Sequence, residues 1–142
     1  MRILISACLL GLRCRYDGAG KPCAAALALS GRHQLVPVCP EQMGGLSTPR
    51  TPCERLGDRV VSQLGEDRTA EYLRGAGQAG ALFDTLGCDC AVLKARSPMC
   101  GAGEVYDGSF TRTLVPGNGL LAELLKEKGI QVYTEENLPE DL

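Results

Sequence analysis

The chain has 142 residues, of which 44% are hydrophobic, and its formal net charge is −2. We therefore expect a single domain over residues 1–142, with a hydrophobic core of its own. The charge leaves no overall basic footprint, which argues against long nucleic acids as partners. No stretch approaches the ~18 apolar residues of a membrane span, and the first apolar run is interrupted by Ser6, as expected for a strand rather than a signal peptide.

The first third of the chain alternates apolar runs with polar segments. A strand is predicted over residues 2–7, followed by a polar loop through Lys21 and a short helix that ends at Ser30. The next strand is predicted over 34–38. The Pro- and Gly-rich loop after it is too long to be a plain connection, so we expect it to carry function.

The pattern continues through the rest of the chain. A short extended piece is predicted over 59–63, and Thr69 is the predicted N-cap of a helix that Gly87 ends. Residues 90–94 have the composition of a buried strand, and they lead into a third loop rich in Pro and Gly.

The C-terminal part begins with a Tyr-Asp-Gly turn signal and a second turn predicted over 116–119. A helix over 120–128 and a strand over 130–133 follow, and the acidic residues 135–141 are predicted to form a solvated tail. This alternation predicts a Rossmann-like α/β fold with a mostly parallel sheet flanked by helices. Function is then expected in the crevice at the carboxyl ends of the strands.

Three cysteines stand where predicted strands break into loops. Cys8 follows the first strand, Cys39 follows the second, and Cys100 lies on the loop after residues 90–94. None has a neighbour at metal-finger spacing, but loops that leave one edge of a parallel sheet converge. Three thiolates on such loops predict a soft-metal site with one coordination position open, as in catalytic centres.

The other five cysteines lack this context and are interpreted as packing or spare thiols, with Cys14 as the best candidate for an exception; they are Cys14, Cys23, Cys53, Cys88 and Cys90. The cysteine content is below the ~8–10% of a short disulfide scaffold. We therefore expect a cytoplasmic protein with reduced thiols. Only one histidine, His33, is present, which excludes a zinc site rich in histidine.

The same loops carry candidate acid and base groups. Glu41 lies two residues after Cys39, Ser97 lies three residues before Cys100, and Asp17 lies on the first loop. A carboxylate beside a metal-bound substrate can deliver or remove a proton. Glu41 has no evident packing role, whereas Asp17 and Ser97 could each serve only to make a local turn.

Five motifs occur in order along essentially the whole chain. They are Ser-Ala-Cys-Leu-Leu-Gly, Cys-Arg-Tyr-Asp-Gly, Pro-Val-Cys-Pro-Glu-Gln with Gly-Gly-Leu and Thr-Pro-Arg, Leu-Lys-x-Arg-Ser-Pro-x-Cys-Gly, and Tyr-Asp-Gly-Ser-Phe. Together they resemble a bacterial family long labelled a domain of unknown function, which includes the thiouracil desulfidases. The resemblance implies a 4Fe-4S cluster held by three cysteines, matched here by Cys8, Cys39 and Cys100, with the fourth iron open to substrate.

The resemblance also implies the reaction. Sulfur is removed from a thiolated pyrimidine, thiouracil or thiouridine, to give the oxo base and hydrogen sulfide without net redox, with iron as a Lewis acid for the sulfur. Glu41 and Ser97 match family positions near the substrate, and Asp17 matches a further motif position. Met99 stands where the family commonly has Ser, a departure that concerns the shape of the pocket.

Two other classes of function stay open on the sequence alone. A cysteine-based sulfur-transfer or thiol-redox enzyme would use a reactive thiol such as Cys14 as a persulfide carrier. A non-catalytic metal-binding module would have a closed site with Cys14 as its fourth ligand. The pattern is compatible with a free base, a nucleoside or a nucleotide as substrate, and it specifies no oligomeric state.

Overall fold

Strands and helices alternate along the chain, and a computed structural model describes all residues 1–142. The elements in chain order are β1 (Arg2–Ser6), α1 (Ala24–Ala28), β2 (Gln34–Val38), α2 (Pro40–Met43), β3 (Cys53–Leu56), β4 (Arg59–Ser62), α3 (Thr69–Thr85), β5 (Cys90–Leu93), β6 (Ala102–Tyr106), β7 (Leu114–Asn118), α4 (Leu120–Glu127) and β8 (Val132–Thr134). None of the helices combines the length and the hydropathy needed to cross a membrane.

Four strands form the central sheet in the order β2-β1-β5-β8, and every neighbouring pair is parallel. Ile3, Leu4 and Ile5 of β1 are fully buried, as is most of β5. Such continuous apolar runs are typical of parallel strands with both faces covered. One core cluster joins Leu4 to α3 and α4, and the other joins Ile3 and Ile5 to the α1 segment. The predicted α/β fold with a parallel sheet flanked by helices is confirmed.

Two antiparallel hairpins, β3-β4 and β6-β7, lie outside this sheet. Each hairpin includes a strand that the sequence did not predict. β3 lies between the predicted loop and the extended piece predicted over 59–63, and residues 116–118 of the predicted turn belong to β7. The one-turn helix α2 lies within the predicted loop. Pro116 is tolerated in β7 because a two-stranded hairpin leaves each strand one free edge, where a missing N–H costs no ladder hydrogen bond.

The start of α3 also differs from the prediction. Thr69 is the first helical residue rather than the N-cap, and Asp67 accepts the Thr69 backbone N–H at 2.9 Å. The Thr69 hydroxyl instead accepts the backbone N–H of Val60 at 2.9 Å, which ties the helix to β4. The predicted end of this helix agrees with the structure, where Gly87 adopts a left-handed conformation with φ 62°.

The acidic C-terminal residues do not form the solvated tail that composition predicts. Glu135 pairs with Lys94 at 2.8 Å and accepts the backbone N–H of Ala95 at 2.7 Å. Glu136 pairs with Arg96 at 2.9 Å. These contacts hold the beginning of the loop after β5, which carries Ser97 and Cys100.

Candidate active site

A cavity of about 430 Å³ lies at the carboxyl ends of β1, β2 and β5. Ser6, Val38 and Lys94, which end or directly follow these strands, line its base. The volume suits a small molecule, since ligand pockets commonly measure ~300–1,000 Å³. The cavity lies where parallel sheets of this class bind their ligands.

The three cysteines predicted as ligands line this cavity together. Cys8 lies in a short helical turn directly after β1, Cys39 is the N-cap residue of α2, and Cys100 lies in the turn that Ser97 begins. The structure thus brings three thiols to one pocket from three separate loops. Cys14 and Cys53 also line the pocket, whereas Cys23, Cys88 and Cys90 do not.

Burial dominates the electrostatics of these thiols. It raises the pKa of Cys8 to about 11 and that of Cys39 to about 12, and it raises the pKa of Cys100 well above its usual value. The Glu41 carboxylate raises all three pKa values further, and Cys8 and Cys39 both raise that of Cys100. The free thiols are therefore protonated at neutral pH, and metal binding would displace their protons.

The donor set fits an iron–sulfur cluster better than a single ion. No group of three or more His, Cys, Asp or Glu side chains is arranged to hold one metal ion. A cubane cluster makes a different demand, because each cysteine binds a separate iron atom and the sulfurs stand further apart. Three thiols from three separate loops line one cavity, which is the arrangement that such a cluster would use. Lys94 and Arg15 oppose the rise in the Cys8 pKa that burial causes, as cations near a thiolate do.

Glu41 lies in the first turn of α2, with its side chain 14% exposed. Its Oε2 lies 3.6 Å from Nη2 of Arg50, whose side chain is 8% exposed. Burial raises the pKa of Glu41, and the Arg50 guanidinium opposes that shift. A buried carboxyl group with a raised pKa in a pocket has the properties of a general acid or base.

Ser97 combines the two roles that the sequence left as alternatives. Its Oγ accepts the backbone N–H groups of Met99 at 3.1 Å and Cys100 at 3.0 Å, so it does organise the turn that carries the cysteine. It also lines the cavity. Since both of these contacts use the oxygen as acceptor, the hydroxyl proton remains free to be donated into the pocket.

Asp17 is not brought to the cavity with the other predicted residues. Its carboxylate accepts the backbone N–H of Ala19 at 3.0 Å and lies 3.6 Å from Arg15, and the side chain is 41% exposed. These are the contacts of a turn residue, because a short acidic side chain readily bonds the backbone two positions on.

Sequence reasoning missed three residues of this region. Lys94 lines the cavity, and its position directly after the buried strand β5 was an available signal. Phe110 lines the cavity from the loop between β6 and β7. Glu54 lines it from β3, and it had no local signal because its hydrogen bonds reach Gly108, far along the chain.

Comparison with known proteins identifies the family of the chain. A family model described as 2-thiouracil desulfurase matches residues 3–137. The chain belongs to the 2-thiouracil desulfurase family. This confirms the resemblance drawn from the five motifs, and the protein is accordingly an enzyme, a desulfidase.

Two relatives extend this finding. The chain is 36% identical over 146 residues to the uncharacterized protein YbbK of Bacillus subtilis (strain 168), covering 96% of this chain and 97% of that protein. Its fold is similar to that of the 4Fe-4S-dependent thiouracil desulfidase TudS (DUF523Vcz), with a TM-score of 0.89 and 45% sequence identity. That match covers 98% of this chain and 93% of the other.

Proposed function

We propose that residues 1–142 form a single domain that acts in the cytosol as a 4Fe-4S-dependent desulfidase of thiolated pyrimidines such as thiouracil. The observation that carries the proposal is the meeting of Cys8, Cys39 and Cys100 on the wall of one cavity. The printed name of the structural neighbour, a thiouracil desulfidase, supports the substrate class and the cofactor.

The three cysteines would hold the cluster. When bound, its open iron supplies a Lewis acid for the thiocarbonyl sulfur, which makes the attached carbon more electrophilic. The overall change is balanced without a redox partner. Water adds its oxygen to the carbon, the carbon–sulfur bond breaks, and the sulfur leaves with two protons as hydrogen sulfide.

Glu41 and Ser97 supply the proton chemistry of this proposal. The Glu41 carboxyl group can take a proton from the attacking water and return it to the departing sulfur. Arg50 holds that carboxyl group in place. The free hydroxyl proton of Ser97 can be donated to the substrate. Asp17 has no part, because its carboxylate is committed to the turn.

Thiol-based sulfur transfer is the second candidate, and one contact favours it. The Cys39 thiol donates to the Cys14 carbonyl oxygen at 3.5 Å, so a further cysteine lies beside the proposed ligands. A persulfide carrier, however, needs an accessible thiol with a lowered pKa. Cys14 is buried, and burial raises its pKa, so the contact does not outweigh the desulfidase proposal.

Anaerobic reconstitution tests the proposal. The parent enzyme should bind iron and inorganic sulfide, show the brown cluster absorbance and release sulfide from 2-thiouracil. The Ala variants of Cys8, Cys39 and Cys100 should each lose the absorbance and the activity. The Ala variants of two control cysteines outside the cavity, Cys23 and Cys88, should keep both. Cys53→Ala should keep the absorbance. Full iron loading in Cys39→Ala would show that the ligand assignment is wrong.

A further inference from the structure

Phe110 is an aromatic residue without a role in the core. Its side chain lines the cavity, and it belongs to neither of the two hydrophobic clusters. The chain's other phenylalanine, Phe83 of α3, is 5% exposed and belongs to one of these clusters. A phenylalanine that lines the candidate active-site cavity and lies outside both core clusters needs an explanation other than core packing.

The backbone at Phe110 is held in an uncommon conformation. Its φ is 59°, in the left-handed region that bulky residues rarely adopt. Such a conformation persists only where surrounding contacts fix it, and residues of this kind cluster at functional sites.

Glu54 supplies the contacts that fix this loop. Its Oε1 accepts the backbone N–H of Gly108 at 3.0 Å and that of Phe110 at 3.1 Å. Glu54 is 9% exposed, and it takes part in none of the nine ion pairs. The loop also packs tightly on β3, because a Cβ at Gly108 would lie 2.8 Å from the Arg55 carbonyl oxygen.

The outward side of the loop is tied separately. Ser109 Oγ bonds Asp107 Oδ1 and Thr111 Oγ1, both at 2.6 Å, and the Thr111 and Thr113 hydroxyls lie 2.8 Å apart. The loop is therefore bonded along its outer side by hydroxyl groups and from within by Glu54. Neither set of contacts involves the ring of Phe110, and Phe110 lines the cavity.

We propose that Phe110 binds the substrate by stacking its ring on the pyrimidine, and that Glu54 is a positioning residue that holds the ring in place. This inference rests on the proposed function, because it requires a planar heterocycle in the cavity. Aromatic side chains stack on any nucleobase, and losing one such contact weakens binding by roughly 5- to 150-fold. Stacking would serve binding and orientation, while the proton chemistry stays with Glu41 and Ser97.

Uracil is the probe for this role, because it keeps the planar ring but has no sulfur to engage iron. Its dissociation constant is measured by calorimetry on the cluster-loaded enzyme under anaerobic conditions. Phe110→Leu, which keeps apolar volume without a π face, should raise that constant by roughly 5- to 150-fold. Phe110→Tyr keeps the ring and should bind uracil as the parent does. Both variants should retain the cluster absorbance.

Glu54 is tested by the same measurement. Glu54→Gln retains an oxygen that can accept the two backbone N–H groups, so uracil affinity should survive. Glu54→Leu should weaken uracil binding about as much as Phe110→Leu. The double variant should be no weaker than Phe110→Leu alone, since both changes remove one contact. If the two losses of uracil binding free energy add in the double variant, Glu54 acts on something other than the Phe110 ring.

The controls separate this inference from the proposed function. Failure of the cluster-loaded parent to release sulfide from 2-thiouracil would overturn the proposed function. If the parent does release sulfide and Phe110→Leu binds uracil with parental affinity, only the stacking role is overturned. Weaker uracil binding in Phe110→Leu, with sulfide release by the parent intact, supports both.

Discussion

Glu41 is a charged group that acts on all three pocket thiols. Its carboxylate raises the pKa values of Cys8, Cys39 and Cys100, so its charge acts on the same small space as all three sulfurs. Its ion pair with Arg50 keeps it in that position despite its burial. A lone buried carboxylate would be costly, and the pairing with Arg50 offsets part of that cost.

Replacing Glu41 with glutamine should separate proton transfer from structure. Glu41→Gln keeps the shape of the side chain but cannot exchange a proton, so iron content should persist while sulfide release falls by roughly 10²–10⁴-fold. The measurement is steady-state sulfide release from 2-thiouracil under anaerobic conditions. Glu127→Gln, an exposed site at the end of α4, is the matched control. Parental turnover by Glu41→Gln with its cluster intact would make Glu41 a loop residue only.

The placement of single residues at the cavity was predictable from sequence where their signal is local. Cys8, Cys39 and Glu41 stand beside strand ends, and strand ends can be located from apolar runs. Asp17 shows the limit of such reasoning, because turn formation and proton transfer use the same side chain. Glu54 shows the other limit, since its partner Gly108 is 54 positions away.

At the scale of elements, two glycines set the position of α2, whose N-cap is Cys39 and whose first turn carries Glu41. A Cβ at Gly75 of α3 would lie 1.9 Å from the Pro40 carbonyl oxygen, and one at Gly44 would lie 2.0 Å from that of Glu71. The backbones of α2 and α3 therefore touch directly. No residue larger than glycine fits at these positions without moving α2.

Gly75→Ala should thus be destabilising although alanine favours helix. The added methyl group must push α2 away from α3, and overpacking of this kind costs about 1–3 kcal/mol. The displacement should also lower the iron content after reconstitution. Gly77→Ala is the control on the same helix, because a Cβ there meets nothing within 4 Å. That variant should gain up to about 1 kcal/mol.

Urea unfolding of the two variants measures both effects. A lower midpoint for Gly75→Ala and a raised midpoint for Gly77→Ala are expected at an unchanged slope. Equal stabilisation of both variants would mean that α2 moves without cost and that the contact does not position α2.

The start of α3 allows a test of how the stability of the protein depends on pH. Hydrogen bonds from Thr69, followed by those from Arg59, lower the pKa of Asp67 from 3.8 to about 2. A carboxyl group with a depressed pKa adds stability above its unfolded-state pKa and loses it as the pH falls through its folded-state pKa. Asp67 therefore stabilises the protein fully above about pH 4 and progressively less toward about pH 2.

Thermal melts of Asp67→Asn check the direction of this pH dependence of stability. The variant should melt below the parent at about pH 6, and the difference should shrink as the pH approaches about 2. Asp58→Asn, an exposed carboxylate in the neighbouring hairpin turn, should melt with the parent at every pH. A difference for Asp67→Asn that stays constant across this range would assign the loss to packing instead of charge.

At the scale of the whole molecule, the sheet order explains why the thiols meet. Strands β2, β1 and β5 are neighbours and parallel, so the loops that leave their carboxyl ends share one edge. This convergence follows from parallel pairing alone, which is why the sequence could predict it. The outer wall of the cavity was not predictable, because it comes from the β3-β4 and β6-β7 hairpins, whose mutual contact depends on the finished fold.

Removing the proposed cluster should lower the melting temperature of the whole chain. The cluster would join loops from three strands and bind only the folded state, so loading adds stability by mass action. At an effective excess of about 100 over the dissociation constant, the gain is about 2.7 kcal/mol, or about 5–11 °C for a chain of this size. Circular dichroism melts before and after anaerobic treatment with an iron chelator measure the shift.

Cys39→Ala should melt at the chelated parent's temperature with or without chelator, and Cys88→Ala should behave as the parent. Identical melting of the loaded and chelated parent would mean that the three loops are held without the cluster, and that the thiols meet through protein contacts alone.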